Sequence, residues 1–110
     1  MSRNRDKFLD YRVDIYALID PTNNELFYIG KTRCELSKRL HLHVCHSRKG
    51  NTTKTCQRIR AILAQGSYPK IVTIALTNAR EWHIVEDEYI KAYKNAGYNL
   101  TNMVAGGGGE

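Results

Sequence analysis

No stretch of this chain approaches the ~20 consecutive apolar residues that a membrane helix requires. Its opening run, Met1 to Lys7, is polar and charged, without the apolar core of a secretory signal. These absences point to a soluble, intracellular, cytoplasmic protein with no membrane partner. Cysteine is scarce and odd in number (Cys34, Cys45 and Cys56), which argues against a disulfide framework. His41, His43, Cys45 and His46 crowd together, but not at the paired spacing of zinc sites. The expectation is three thiols, buried or half-exposed, and a fold that needs no zinc. Internal repeats and linkers are missing too, and 110 residues are too few for two domains. Residues 1–110 therefore read as one domain, with 1–11 and 103–110 as flexible ends.

The middle of the chain lacks acidic charge. Residues 31–60 hold nine basic side chains (Lys31, Arg33, Lys38, Arg39, Arg48, Lys49, Lys54, Arg58 and Arg60) against Glu35 alone, a net +8, whereas residues 1–30 and 61–110 each carry four basic and five acidic groups. Concentrated positive charge is the footprint of a polyanionic partner, most often nucleic acid. Lys31, Arg33, Lys38, Arg48, Lys49, Lys54 and Arg58 are the expected phosphate-contacting side chains.

Val13, Ile15, Ala17 and Ile19 alternate with Asp14, Tyr16, Leu18 and Asp20, the period of a half-buried strand. Pro21-Thr22-Asn23-Asn24 is turn chemistry, and Leu26 to Ile29 forms the returning strand of a hairpin. Symmetric pairing about Thr22 places Tyr16 directly opposite Tyr28, with Phe27 and Ile29 on the other face beside Val13, Ile15 and Ala17. Thr32 and Glu35 read as a capping box, so a helix is expected from near Arg33, with Leu36, Leu40, Val44 and Ser47 inward and Gly50 at its end. A second helix follows a Thr52 or Thr53 cap, buries Ile59, Ile62 and Leu63, and stops at Gly66. Ile71 to Leu76 reads as a buried central strand. Asn78 caps a third helix that runs to about Asn95, with Gly97 beyond it. The fold class is α+β: a small three-stranded, mainly antiparallel sheet flanked by helices, in the order β-β-α-α-β-α.

Three features ask for explanation. Tyr16 and Tyr28 are either a cross-strand packing pair or two hydroxyls gathered for chemistry. Arg39 and His43, four apart on one helix side, are either a solvent-facing basic pair or a phosphate clamp with a proton carrier. Glu86 lies within the inward stripe of Trp82, Val85, Tyr89, Ile90 and Tyr93, where a carboxylate is costly unless partnered. It is either ion-paired at the edge of the core or a ligand for a hard cation such as Mg²⁺.

Asp14-Ile15-Tyr16 and Tyr28-Ile29-Gly30-Lys31-Thr32, with eleven residues between the tyrosines, resemble the signature triplets of the GIY-YIG nucleases. Arg39 with His43, Glu86 ahead of Tyr89-Ile90-Lys91, and Gly97-Tyr98-Asn99 are similar to the family's later elements, and the likeness runs from about Val13 to Asn102. The resemblance implies an endonuclease that hydrolyses phosphodiester bonds in DNA. Within it, Glu86 would hold one divalent metal, Mg²⁺ or Mn²⁺, Tyr16 would act as general base, and Tyr28 would orient the site. Arg39 would bind the scissile phosphate with His43 as its companion, and Asn99 would brace the pocket. Asp14 stands where the family usually has glycine, and His46 is the candidate for a further family histidine. With no separate recognition domain in sight, a homodimer or a separate specificity partner enters as an expectation. The competing readings are a catalytically inactive nucleic-acid-binding module of the same fold and a scaffold with an incidental basic face.

Overall fold

The computed structural model describes residues 11–102. Three strands, β1 (Arg12–Asp20), β2 (Glu25–Thr32) and β3 (Lys70–Asn78), form one sheet. Three helices, α1 (Leu36–Arg48), α2 (Lys54–Ala64) and α3 (Trp82–Asn95), complete the order β-β-α-α-β-α. Both strand pairings are antiparallel, and the order across the sheet is β2-β1-β3. The hydrophobic run of β1 is therefore the central strand. β3, expected at the centre for its continuous apolar run, is an edge strand with no fully buried residue. A β-branched run satisfies either position, and only the pairing order separates them.

Alternation along β1 divides the core in two. Tyr16 and Leu18 pack with Phe27, Tyr28, Val44, Ile59 and Ile62, beneath α1 and α2. Ile15 and Ile29 pack with Ile90, Trp82, Val85, Tyr89 and Tyr93 of α3 on the opposite face. The sheet is thus a middle layer with two helices on one side and one on the other.

The hairpin register differs from the symmetric expectation. Tyr16 pairs with Gly30 and Leu18 with Tyr28, and the register shifts between Leu18 and Ile19, leaving Phe27 as the extra residue of a bulge. The bulge turns Phe27 onto the Tyr16 face, where it joins the α1–α2 core rather than the Ile15 face. The turn itself comprises residues 21–24, as expected. They are held by Asp20, whose carbonyl accepts from the Asn24 amide at 2.7 Å and whose carboxylate accepts from both Thr22 groups, while Asn24 takes a left-handed φ of 62°.

Helix α1 begins at Leu36 rather than near Arg33. Thr32 remains in β2, and its hydroxyl accepts from the Cys34 amide at 3.0 Å, so it closes a turn rather than capping a helix. Thr53 caps α2 as expected, accepting from Cys56. Asn78 accepts from the amides of Arg80 and Glu81, so it caps the turn leading into α3, one step earlier than a helix cap.

The outer edge of β2 is closed by a short segment. The Thr101 amide donates to the Phe27 carbonyl at 2.7 Å. Asn102 brackets Ile29, its Oδ1 accepting from the amide at 3.0 Å and its Nδ2 donating to the carbonyl at 2.7 Å. Of the expected flexible ends, 1–10 and 103–110 lie outside the described residues, and the Tyr11 carbonyl accepts from the Ala79 amide at 3.0 Å. Among the described residues no helix is long and apolar enough to cross a membrane.

Candidate active site

Tyr16 is fully buried under α1, and its hydroxyl is the hub of the site. Arg39 Nε donates to it at 3.1 Å, and His43 Nε2 lies 2.6 Å away. Arg39 and His43 reach it together because a spacing of four places them one above the other on α1. Tyr28 lies diagonal to Tyr16 on the same sheet face, ring centroids 6.2 Å apart, and His43 stands edge-on to both rings at 5.8 and 5.3 Å. The bulge thus changes the register without separating the tyrosines.

Hydrogen-bonding capacity fixes one role of the hydroxyl. A guanidinium only donates, and a phenol owns one hydrogen. With Arg39 donating, the Tyr16 oxygen is an acceptor, and the direction of its bond with His43 Nε2 follows the His43 tautomer. Burial, then the neighbouring charges of Arg39 and His46, hold the His43 pKa down at about 4, so the ring is neutral and able to accept. Burial raises the Tyr16 pKa above a phenol's ordinary value and the charge of Glu86 adds to this, while Arg39 and Tyr28 pull it down. Only Nε of Arg39 is engaged among the described residues, which leaves the two terminal nitrogens of the fork for an outside anion.

Gly30 explains why this cluster can form. A Cβ built there would lie 2.6 Å from the Tyr16 oxygen, 2.7 Å from its Cζ and 2.8 Å from Tyr28 Cε2. The glycine is required by this close approach of two aromatic rings, not by its backbone angles. Sequence reasoning identified the motif but not this proximity.

Glu86 comes from the opposite layer, on α3, one turn after Trp82. Burial raises its carboxyl above the usual carboxylate range and Asp87 adds to the effect, while Lys31 opposes it. No ion pair closes on Glu86 among the described residues, whereas Asp87 is paired with Lys91 at 3.1 Å. Of the two readings for Glu86, the ion-paired one therefore has no partner there. No group of three or more His, Cys, Asp or Glu side chains capable of holding a metal occurs among the described residues. A single half-buried carboxylate is a donor set that suits a hard cation keeping most of its waters and sharing substrate oxygens, as Mg²⁺ does.

The remaining expected residues separate into groups. Asn99 is exposed, and the asparagine that bonds to the sheet is Asn102, three residues on. Nothing in the order of Asn99-Leu100-Thr101-Asn102 distinguishes the two without the backbone path. Asp14 is occupied by Arg12 at 2.8 Å and by the Thr73 hydroxyl at 2.8 Å. The hydrogen bond from Arg12 is the main reason its carboxyl is held below the usual range. Lys31, Arg33, Lys38, Arg48, Lys49 and Lys54 are exposed, and His46 is exposed as well. Arg58 is not part of an open patch: it bonds Asp20 at 3.1 Å, approaches Glu25 at 3.4 Å and lies over the Phe27 ring. Arg60, counted in the basic middle, donates to the carbonyls of Ser47 and Asn51. Two of the nine basic groups thus serve the fold.

A family model, the GIY-YIG catalytic domain, matches residues 14–99. No curated protein and no solved structure gives a match.

Proposed function

The chain belongs to the GIY-YIG family, whose domains are generally nucleases, and on that premise we propose that it is a divalent-metal-dependent endonuclease acting on DNA. The observation that carries this reading is the Tyr16 hydroxyl held between a guanidinium and a neutral imidazole. Binding alone has no use for a buried phenol whose oxygen lies 2.6 Å from an imidazole nitrogen.

A phosphate meeting the free end of the Arg39 fork lies beside the Tyr16 hydroxyl, because Nε of the same guanidinium holds that hydroxyl. In the tautomer with His43 Nε2 unprotonated, Tyr16 takes a proton from the attacking water as it yields its own to that nitrogen, so no free phenolate has to form against its raised pKa. Tyr28 backs the Tyr16 ring and fixes its tilt. Asn102, rather than Asn99, braces the β2 segment that carries Tyr28 and Gly30. Glu86 would hold Mg²⁺ or Mn²⁺, which when bound supplies positive charge to the phosphate oxygens. Lys31, Arg33, Lys38, Arg48, Lys49 and Lys54 would contact the backbone of the nucleic acid. A homodimer, or a separate specificity partner, would supply sequence selection.

The test is incubation with supercoiled plasmid, single-stranded DNA and RNA, in Mg²⁺ and in EDTA. Plasmid nicking in Mg²⁺ that EDTA abolishes is the expected result. Tight, salt-sensitive binding without cleavage of any substrate would identify a binding module that has kept the fold alone.

A further inference from the structure

Lys31 follows Gly30 directly and pairs with Ile15 across the hairpin, so it stands on the α3 face of the sheet. Its ammonium lies 4.5 Å from the centre of the Trp82 ring. Trp82 opens α3, and Glu86 stands one turn further along the same side of the helix. The ammonium is thus placed beside the carboxylate, and its charge opposes the effect of burial on Glu86, yet no ion pair forms between them. The attachment to an indole face near solvent is weak, and the four-carbon stem is flexible. A charge parked so loosely next to a metal-suited carboxylate has somewhere else to go.

We propose that Lys31 is a mobile phosphate ligand: it rests on Trp82 as the counter-charge of Glu86, and passes to a phosphate of the bound nucleic acid once a divalent cation occupies Glu86. This rests on the assignment of Glu86 as the metal ligand. Like charges repel, so a cation held at Glu86 would drive the neighbouring ammonium away from its resting place on Trp82. The substrate phosphate then offers the ammonium a new anionic partner. Metal loading and backbone grip are thereby coupled through one side chain, and affinity for nucleic acid rises at the same step that readies the site.

The chain has one tryptophan, so Trp82 emission reports the ammonium leaving. The experiment uses wild type, Lys31→Met, which keeps the apolar stem, and Glu86→Gln. Ca²⁺ replaces Mg²⁺, and the DNA duplex is checked intact on a gel. Ca²⁺ binding is followed by calorimetry and by fluorescence, and duplex affinity is measured against salt with and without Ca²⁺. The expected result is a Ca²⁺-dependent emission change in wild type and none in Lys31→Met. The salt slopes of the two proteins should differ by about 0.9 in Ca²⁺ and by almost nothing without it, as expected when Lys31 neutralises one phosphate only in the metal-loaded protein. Equal slope differences in the two conditions, with Ca²⁺ binding lost in Glu86→Gln, would overturn the role of Lys31 and leave the metal assignment standing. Ca²⁺ binding that is undetectable in wild type, or unchanged in Glu86→Gln, would overturn both.

Discussion

Two residues, Gly30 and His43, decide whether the hub exists at all. Gly30→Ala places a methyl group within 2.6–2.8 Å of two buried rings, closer than real Cβ atoms come, so the rings or the strand must shift. Overpacking of this kind costs about 1–3 kcal/mol, and it moves the Tyr16 oxygen away from Arg39 and His43. Denaturant unfolding should show that loss and cleavage should fall with it; an alanine variant with wild-type stability and rate would mean the rings are not locked against Gly30. His43 gives a pH signature. Its pKa is about 4 in the folded chain and about 6.5 when unfolded, so between these values the unfolded chain binds more protons. Stability contributed by the neutral ring is fully present above pH 6.5 and drains away as pH falls towards 4. With the ring partly exposed, the contribution is on the order of 2 kcal/mol. Urea unfolding from pH 7 to pH 4 should show wild type losing stability more steeply than His43→Gln, and parallel curves would contradict a depressed His43.

At the scale of elements, the hairpin, the two inward-facing helical stripes on α1 and α2, and the Trp82–Tyr93 stripe on α3 were legible because each is a local period in the chain. What was not legible depends on residues distant in sequence. The bulge at Phe27 is set by how β2 meets α1 and α2, the edge position of β3 by pairing order, and the later start of α1 by Thr32 staying paired with Asp14. The same holds for the site: Tyr16, Arg39, His43 and Glu86 were visible as residues, but the contact between Tyr16 and His43 and the bracket made by Asn102 exist only in three dimensions. That bracket can be tested against its neighbour. Asn102→Ala leaves the Ile29 amide and carbonyl without their partner on a closed sheet edge, at a cost of about 1–3 kcal/mol. Asn99→Ala removes an exposed side chain and should stay within about 0.5 kcal/mol of wild type. The measurement is the urea midpoint of each variant, and the reverse order would return the bracing role to Asn99.

Across the whole molecule, the sheet separates two sets of chemistry, the phenol, guanidinium and imidazole on the α1 side and a carboxylate on α3, and the charge of Glu86 still reaches Tyr16. The basic charge of residues 31–60 is likewise divided between the open surface and the fold. Arg58→Ala should therefore lower the melting temperature, because Asp20 and Glu25 lose their partner, while leaving the salt slope of DNA binding unchanged. Lys38→Ala should do the opposite, reducing that slope by about 0.9 if the lysine meets one phosphate. A slope reduced by Arg58→Ala would show that it reaches the nucleic acid after all. The central claim is that Glu86 serves a cation rather than the core, and it is tested by measuring cleavage rate, DNA affinity and melting temperature on one preparation each of wild type, Glu86→Gln and Asp87→Ala. The account predicts that Glu86→Gln loses metal-dependent cleavage by about a thousandfold, equivalent to ~4 kcal/mol, while binding DNA as metal-free wild type does and melting at or above the wild-type temperature, because a half-buried charge without an ion-pair partner among the described residues has been removed. Asp87→Ala, which loses only an exposed pair with Lys91, should cleave like wild type. A Glu86→Gln protein that melts early yet cleaves at the wild-type rate would contradict the account.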